Sequence, residues 1–368
     1  MSKRVISLMM VVMLVGMMLA GCASKPEPAA EPAPAAEPAA AEPAAEPAAE
    51  PAAEPAAEPK SELVMGMITD TGGLGDQSFN DSAWLGLEEA EKQFGIKRQV
   101  LESQSADDYS PNLVSFAEEK TDIIYGVGFL FVEAMKAAAD QFPDQKFAIV
   151  DSSGLEKPNV AEIVFAENEG SFLVGVIAGL KTETNKIGFI GGMKFPLIEK
   201  FEYGFRAGVK AVNPDAEVIV NYADSFDDAA KGKEIALVQH QAGADIIFHA
   251  AGGVGAGLIE AAKEEKFWAI GVDQDQSHMA PENVLCSMIK RVDVGVLSVA
   301  KSVVDGNFQG GTLLFDSKNN GVGYSDKAGN LTDDLKAAAD KYLEAIKAGT
   351  FVVPATEAEF NAFEAPSL

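Results

Sequence analysis

The chain has 368 residues and carries 56 acidic against 29 basic side chains, a formal net charge of -27. That balance excludes most proteins that grip a polyanion, because neutralising phosphate needs a basic face, so no nucleic-acid polymer is expected as a partner. Two cysteines cannot build a disulfide framework and three scattered histidines make a poor metal site, so neither a metal nor a cofactor is expected.

Residues 1–60 stand apart. Lys3 and Arg4 precede an apolar run over 5–20, interrupted only by Ser7 and Gly16. Its length is that of a signal-peptide core rather than of a span plus anchor. The run ends in Leu19-Ala20-Gly21-Cys22, which resembles the lipobox of bacterial lipoproteins. That resemblance implies a signal peptide over 1–21, cleavage before Cys22 and lipidation of its thiol, so that acyl chains rather than a helix hold the protein at a membrane. An ordinary signal peptide with an incidental cysteine is the alternative. Residues 26–59 repeat Pro, Glu and Ala and hold ten of the 18 prolines. Proline removes the backbone donor, and spaced glutamates repel each other. The stretch 22–60 is therefore expected to be a disordered, extended tether. Residues 1–60 contain eight Glu and four Lys+Arg, which leaves 48 acidic and 25 basic residues in 61–368, net -23. Most of that charge is expected to face water.

From residue 62 the pattern alternates. Apolar runs of strand length are predicted over 63–68, 123–127, 147–150, 160–165, 187–190, 217–221, 245–249, 268–272 and 284–289, with a strand-like 312–315 inside a Gly/Asn-rich stretch. Helical periodicity is predicted over 79–94, 130–141, 171–181, 196–212, 227–242, 255–265, 292–305 and 333–348. Strands alternating with helices of this length argue for βαβ units, and continuous apolar strands argue for parallel sheets covered on both faces. The pattern restarts near 184, so two lobes are expected. One is 61–166 with 274–306, the other 167–273 with 307–353, and 354–368 is a tail.

In open α/β sheets a ligand sits outside the carboxyl ends of the strands, so the loops there carry the candidate residues. After the first strand come Asp70, two glycines, Asp76, Ser78, Phe79 and Asn80. Asp76 or Ser78 suits the cap of the next helix. Phe79 is either a hydrophobic staple or a stacking platform for a flat ring. Asp151 and Asp273 end strands, where a carboxylate can accept two hydrogen bonds. Lys290 follows a strand and either donates to a ligand or pairs with one of these acids. Gly252-Gly253-Val254-Gly255 follows another strand, but its spacing is not that of a dinucleotide fingerprint. No nucleophile elbow, Walker A loop or HExxH is present. His240, His249 and His278 lack ligand spacing, and Cys286 reads as a small buried hydrophobe.

Seven segments together carry a resemblance. They are Asp70-Thr71-Gly72-Gly73 with Asp76-Gln77-Ser78-Phe79-Asn80, Ala166 through Gly175 (AENEGSFLVG), Gly188-Phe189-Ile190-Gly191-Gly192, Phe201-Glu202-Tyr203-Gly204-Phe205, Gly252-Gly253-Val254-Gly255, Ile270 through Gln276 (IGVDQDQ) and Ser287-Met288-Ile289-Lys290. This set resembles the basic membrane protein family of substrate-binding lipoproteins, which includes purine nucleoside receptors of ABC importers. The resemblance implies an α/β, type I periplasmic-binding-protein fold: two lobes, each a mostly parallel sheet flanked by helices, with the ligand in the cleft between them. It implies a nucleoside whose base lies between Phe79 and Phe201, whose base edge meets Asp151, and whose ribose hydroxyls meet Asp273 and Lys290. The candidate nucleoside-binding set is Asp70, Ser78, Phe79, Asn80, Asp151, Phe201, Gly252, Gly253, Asp273 and Lys290. A flat base suits aromatic faces and a sugar diol suits a carboxylate, whereas a phosphate beside three acids is disfavoured.

The function expected on this basis is a lipid-anchored, extracytoplasmic, monomeric binding protein that delivers a purine nucleoside to an ABC permease, not an enzyme. Its other contact is the bilayer, through acylated Cys22. The alternatives are a binding protein for a sugar or other small polar solute and, less favoured, a nucleoside hydrolase using Asp70, Asp76 and Asp151. A ligand-sensing repressor would need a basic DNA-binding segment where the leader stands.

Overall fold

The computed structural model describes residues 62–366, so the leader, Cys22 and the Pro/Glu/Ala tract lie outside the described residues. The chain begins β1 (Val64–Thr69), α1 (Phe79–Phe94), β2 (Lys97–Glu102), α2 (Tyr109–Glu118), β3 (Ile123–Val127), α3 (Val132–Gln141), β4 (Phe147–Val150) and β5 (Val160–Phe165). It continues with α4 (Glu167–Lys181), β6 (Lys186–Gly191), α5 (Pro196–Val212), β7 (Glu217–Tyr222), α6 (Ala229–Gln241), β8 (Ile246–Ala250), α7 (Val254–Glu265), β9 (Trp268–Asp273) and β10 (Val284–Lys290). The last elements are α8 (Val292–Val304), β11 (Gly311–Phe315), β12 (Val322–Ser325), α9 (Asp333–Lys347) and α10 (Glu357–Ala362).

Two six-stranded sheets result, ordered β11-β5-β4-β3-β1-β2 and β12-β10-β9-β8-β6-β7. The first is wholly parallel. The second is parallel except for β12, which runs antiparallel to β10. The five main strands follow the same order in each sheet, so each lobe reverses direction between its first and third strands. Such a switch point opens a crevice at the carboxyl ends of the strands, where ligands bind. The central strands β3, β4 and β8 are buried along their whole length, which their unbroken apolar sequences require.

Edge strands obey a different rule. β2 (KRQVLE) is only partly buried, so it needs no apolar run, and the sequence pattern leaves it unassigned together with α2, β12 and α10. α4 and α5 pack backbone to backbone. A Cβ at Gly175 would stand 2.2 Å from the Phe205 carbonyl oxygen, and one at Gly208 would stand 2.1 Å from that of Phe172.

The lobe boundary differs from the expected division. β10 pairs with β9 in the second sheet, whereas the sequence pattern places 274–306 in the first lobe. β11 pairs with β5 in the first sheet, whereas the sequence pattern places 307–353 in the second lobe. Residues 274–283, polar in sequence, belong to the second lobe. Gln276 accepts from Val272 N at 3.0 Å and Asp275 accepts from Ser325 Oγ at 2.6 Å, bonds that fasten the segment to the second lobe, while Gln276 Nε2 donates across to Gln77 O of the first at 3.0 Å. The chain passes between lobes three times: from β5 to α4, from β10 to α8, and from β11 to β12. α8 returns to the first lobe, where a Cβ on Gly86 of α1 would meet its Asp293 carbonyl at 2.6 Å.

Candidate functional site

The loop after β1 is organised by two carboxylates. Asp76 accepts from the backbone N–H of Ser78 (2.9 Å), Asn80 (2.8 Å) and Asp81 (3.1 Å), so it is the side chain that caps α1. Ser78 occupies the N-cap position without capping; its hydroxyl donates instead to Asp273 of the other lobe. Asp70 Oδ1 accepts from Gly72 N at 2.9 Å and from Asn80 Nδ2 at 2.8 Å. Asn80 is 2% exposed, and its own Oδ1 has no partner among the described residues. Phe79 is the first residue of α1 and is half-buried in the wall of the cleft.

Asp151 and Asp273 arrive by the same device. Each stands at the end of the fourth strand of its lobe and adopts a left-handed backbone, φ 66° and 65°. That conformation is uncommon outside glycine and is best tolerated by Asp and Asn. It turns both carboxylates into the cleft. Lys290, the last residue of β10, is buried at 2% exposure and pairs with Asp151. Its ammonium lies 3.8 Å from Glu167 and 4.8, 5.1 and 5.5 Å from the ring centres of Phe79, Phe165 and Phe201. Asp151 Oδ1 has no hydrogen-bond partner among the described residues.

Burial sets the electrostatics. It pushes Asp70 up to about 6, against the hydrogen bonds from Asn80 and Gly72. It pushes Asp273 up to about 6, against Lys290 and Ser78. Burial also raises Glu167, opposed by Lys290 and Lys200. Burial alone would lower Lys290, but the surrounding Asp151, Glu167 and Asp273 carry it above its ordinary value.

Facing these groups is an apolar wall. Phe129, just after β3, packs on Phe195 (5.0 Å between ring centres) and edge-on to Phe226 (6.2 Å). Leu197, Ile198 and Phe201 of α5 complete that side, with Gly252 in the turn after β8. Counting its open mouth, the cleft holds about 570 Å³.

Of the sequence-derived candidates, Asp70, Phe79, Asn80, Asp151, Phe201, Gly252, Asp273 and Lys290 line one cleft. Ser78 reaches it through Asp273, and Gly253 stands behind it as the N-cap of α7. Sequence reasoning missed Phe129 and Phe226. Both follow strands at their carboxyl ends, which is the signal that could have found them, but an apolar side chain there reads equally as core. Cys286 is buried and unpaired. His249 is buried beside Gln276 (2.9 Å) and pushed down to about 4, which keeps it neutral. Among the described residues no cluster of three or more His, Cys, Asp or Glu is placed to hold a metal, and no helix is long and apolar enough to cross a membrane.

Known proteins share this sequence and fold. The family described as "ABC transporter substrate-binding protein PnrA-like" matches residues 63–357. A "CD4+ T-cell-stimulating antigen" of Listeria monocytogenes is 41% identical over 80% of this chain and 88% of its own. The "ABC transporter nucleoside-binding protein BmpA" of Lactococcus lactis is 39% identical over 80% of this chain and 90% of its own. Among solved structures, an ABC transporter solute-binding protein of Aeropyrum pernix superposes with a TM-score of 0.75 at 28% identity, covering 82% of this chain and 96% of the other.

Proposed function

Because this chain belongs to the Bmp family of PnrA-like ABC transporter substrate-binding proteins, we propose that it binds a nucleoside, by preference a purine, between its lobes and hands it to a membrane permease. The observation that carries this reading is the division of the cleft into an aromatic wall and a buried polar floor with two unpartnered acceptors, Asn80 Oδ1 and Asp151 Oδ1. The base lies between Phe79 of one lobe and Phe201 and Phe226 of the other, where a two-ring base covers more of the wall than a one-ring base. Asp70 and Asn80 meet the base edge. The resemblance alone implies Asp151 at the base edge, but its ion pair with Lys290 favours the sugar end. Asp151, Asp273 and Lys290 hold the ribose hydroxyls. With Asp70, Asp151 and Asp273 lining the cleft against the single ammonium of Lys290, a phosphate is repelled, so nucleotides bind poorly.

The lipobox-like Leu19-Ala20-Gly21-Cys22 supports the second half of the proposal: acyl chains on Cys22 hold the protein at the extracytoplasmic face of a membrane, beside its permease. Calorimetric titration with guanosine, adenosine, inosine and free ribose tests the ligand. Saturable one-site binding of at least one nucleoside, with ribose silent, is expected. Saturable ribose with silent nucleosides would sink the reading. Replacing Cys22 by Ala should move the protein from the membrane to the soluble fraction; unchanged membrane retention contradicts the acyl anchor.

A further inference from the structure

We propose that Glu167, which does not line the cleft, is a positioning residue for ligand capture: it holds the Lys290 ammonium at the cleft floor and ties it to α5, the helix that carries Phe201. The inference rests on the nucleoside reading above and extends it to a residue that would not touch the ligand.

Glu167 has no exposed surface and opens α4 immediately after the first crossover between the lobes. A carboxylate is favoured there by the free N–H groups and the dipole of the helix. Its Oε2 accepts from Lys200 Nζ at 3.2 Å, and Lys200 adjoins Phe201 on α5. Its Oε1 has no hydrogen-bond partner and faces Lys290 Nζ at 3.8 Å. Lys290 stands immediately before the second crossover. The third is tied to both of the others by Ala166 N to Phe315 O (3.0 Å), Arg291 N to Gly321 O (2.8 Å) and Ser317 N to Glu169 Oε2 (2.8 Å). The position of the ammonium is therefore referred to the hinge rather than to one lobe.

The charges give this arrangement a use. Lys290 faces Asp151 on the cleft side and Glu167 behind. An ammonium has three donors. Asp151 takes one of them; Glu167 holds the ammonium from 3.8 Å by charge rather than by a hydrogen bond, so two donors remain for ligand oxygens, and Asp151 keeps one oxygen free. Without that rear anion, Lys290 would collapse onto Asp151 and Asp273 and neutralise the acceptors a diol needs.

The test is titration of the full chain and of Glu167→Gln and Glu167→Asp with guanosine and 2′,3′-dideoxyguanosine. Wild type should prefer guanosine. Glu167→Gln should lose about tenfold or more of its guanosine affinity while binding the dideoxy analogue within about twofold, because a hydrogen bond to a charged group is lost for one ligand only. Glu167→Asp should restore part of the preference. A merely structural role weakens both ligands by the same factor, and that result, like an unchanged ratio, overturns the inference. Should Glu167→Gln fail to fold, Lys200→Met reads the same ratio and should shift it less, in the same direction; no shift there overturns the inference too. Wild type that binds guanosine and its dideoxy analogue equally overturns this inference but leaves the nucleoside reading standing. Wild type that binds neither overturns both.

Discussion

At the floor of the cleft Lys290 and Asp151 are 2% and 8% exposed, Glu167 behind them is 0% exposed, and the three are fixed to one another by charge. At the mouth, Phe129 meets Phe195 and Phe226 only through tilted or edge-on rings, and Phe195 is 39% exposed. The floor groups sit at strand ends and crossovers, whose backbone the sheets hold; the mouth groups sit in loops and first helical turns. The floor is thus coupled to folding, because a buried charge that loses its partner is costly. The mouth contributes little to folding and is free to serve the ligand. Substitutions at the two places should accordingly show up in different measurements.

The largest effect is expected at the floor. Lys290→Met leaves Asp151 buried without its cation and Glu167 with Lys200 alone, and should lower stability by about 3–5 kcal/mol, read by urea denaturation. A loss no greater than that of a surface variant would erase the difference between floor and mouth.

Asp70→Asn comes next, through pH. Asp70 has its folded pKa raised to about 6, so it holds its proton more tightly in the folded state. Its contribution to stability is full below about pH 4 and is lost as pH rises through about 6. The asparagine keeps the hydrogen bonds to Gly72 and Asn80 and cannot ionise. Without added ligand, the variant should gain up to about 3 kcal/mol on wild type between pH 4 and pH 7.5. A pH-independent difference would contradict the electrostatic account.

Phe79→Ala should weaken guanosine binding about tenfold to a hundredfold, the usual worth of base stacking, with a smaller effect on stability. An equal loss in both would make Phe79 a packing residue. The smallest effect belongs to the rim. The Gln77 side chain meets His278 of the other lobe at 2.7 Å in an exposed position, and Gln77→Ala should cost under about 1 kcal/mol of binding.

The same contrast explains what could be read from the sequence. Asp151, Asp273 and Lys290 were legible because apolar runs mark the strands, and the polar residue ending a parallel strand is placed by the fold. Phe129 and Phe226 were not singled out, because a phenylalanine after a strand looks like core until a cleft is known to lie there. Ser78 was legible as a residue of the helix-capping turn, but its contact with Asp273, 195 residues away, was not. The lobe boundary is not legible in the polar residues at 274–283, because β10 pairs with β9 and Asp275 accepts from Ser325 within the second lobe. β2 escaped because an edge strand needs little apolar surface.

The most direct test of the central claim is a crystal structure of the protein with guanosine bound. The account predicts the base between Phe79 and the rings of Phe201 and Phe226, with the ribose hydroxyls within hydrogen-bonding distance of Lys290 and of Asp151 or Asp273. A base directed at Lys290 with the ribose at the mouth, or a ligand bound outside the cleft, would contradict it.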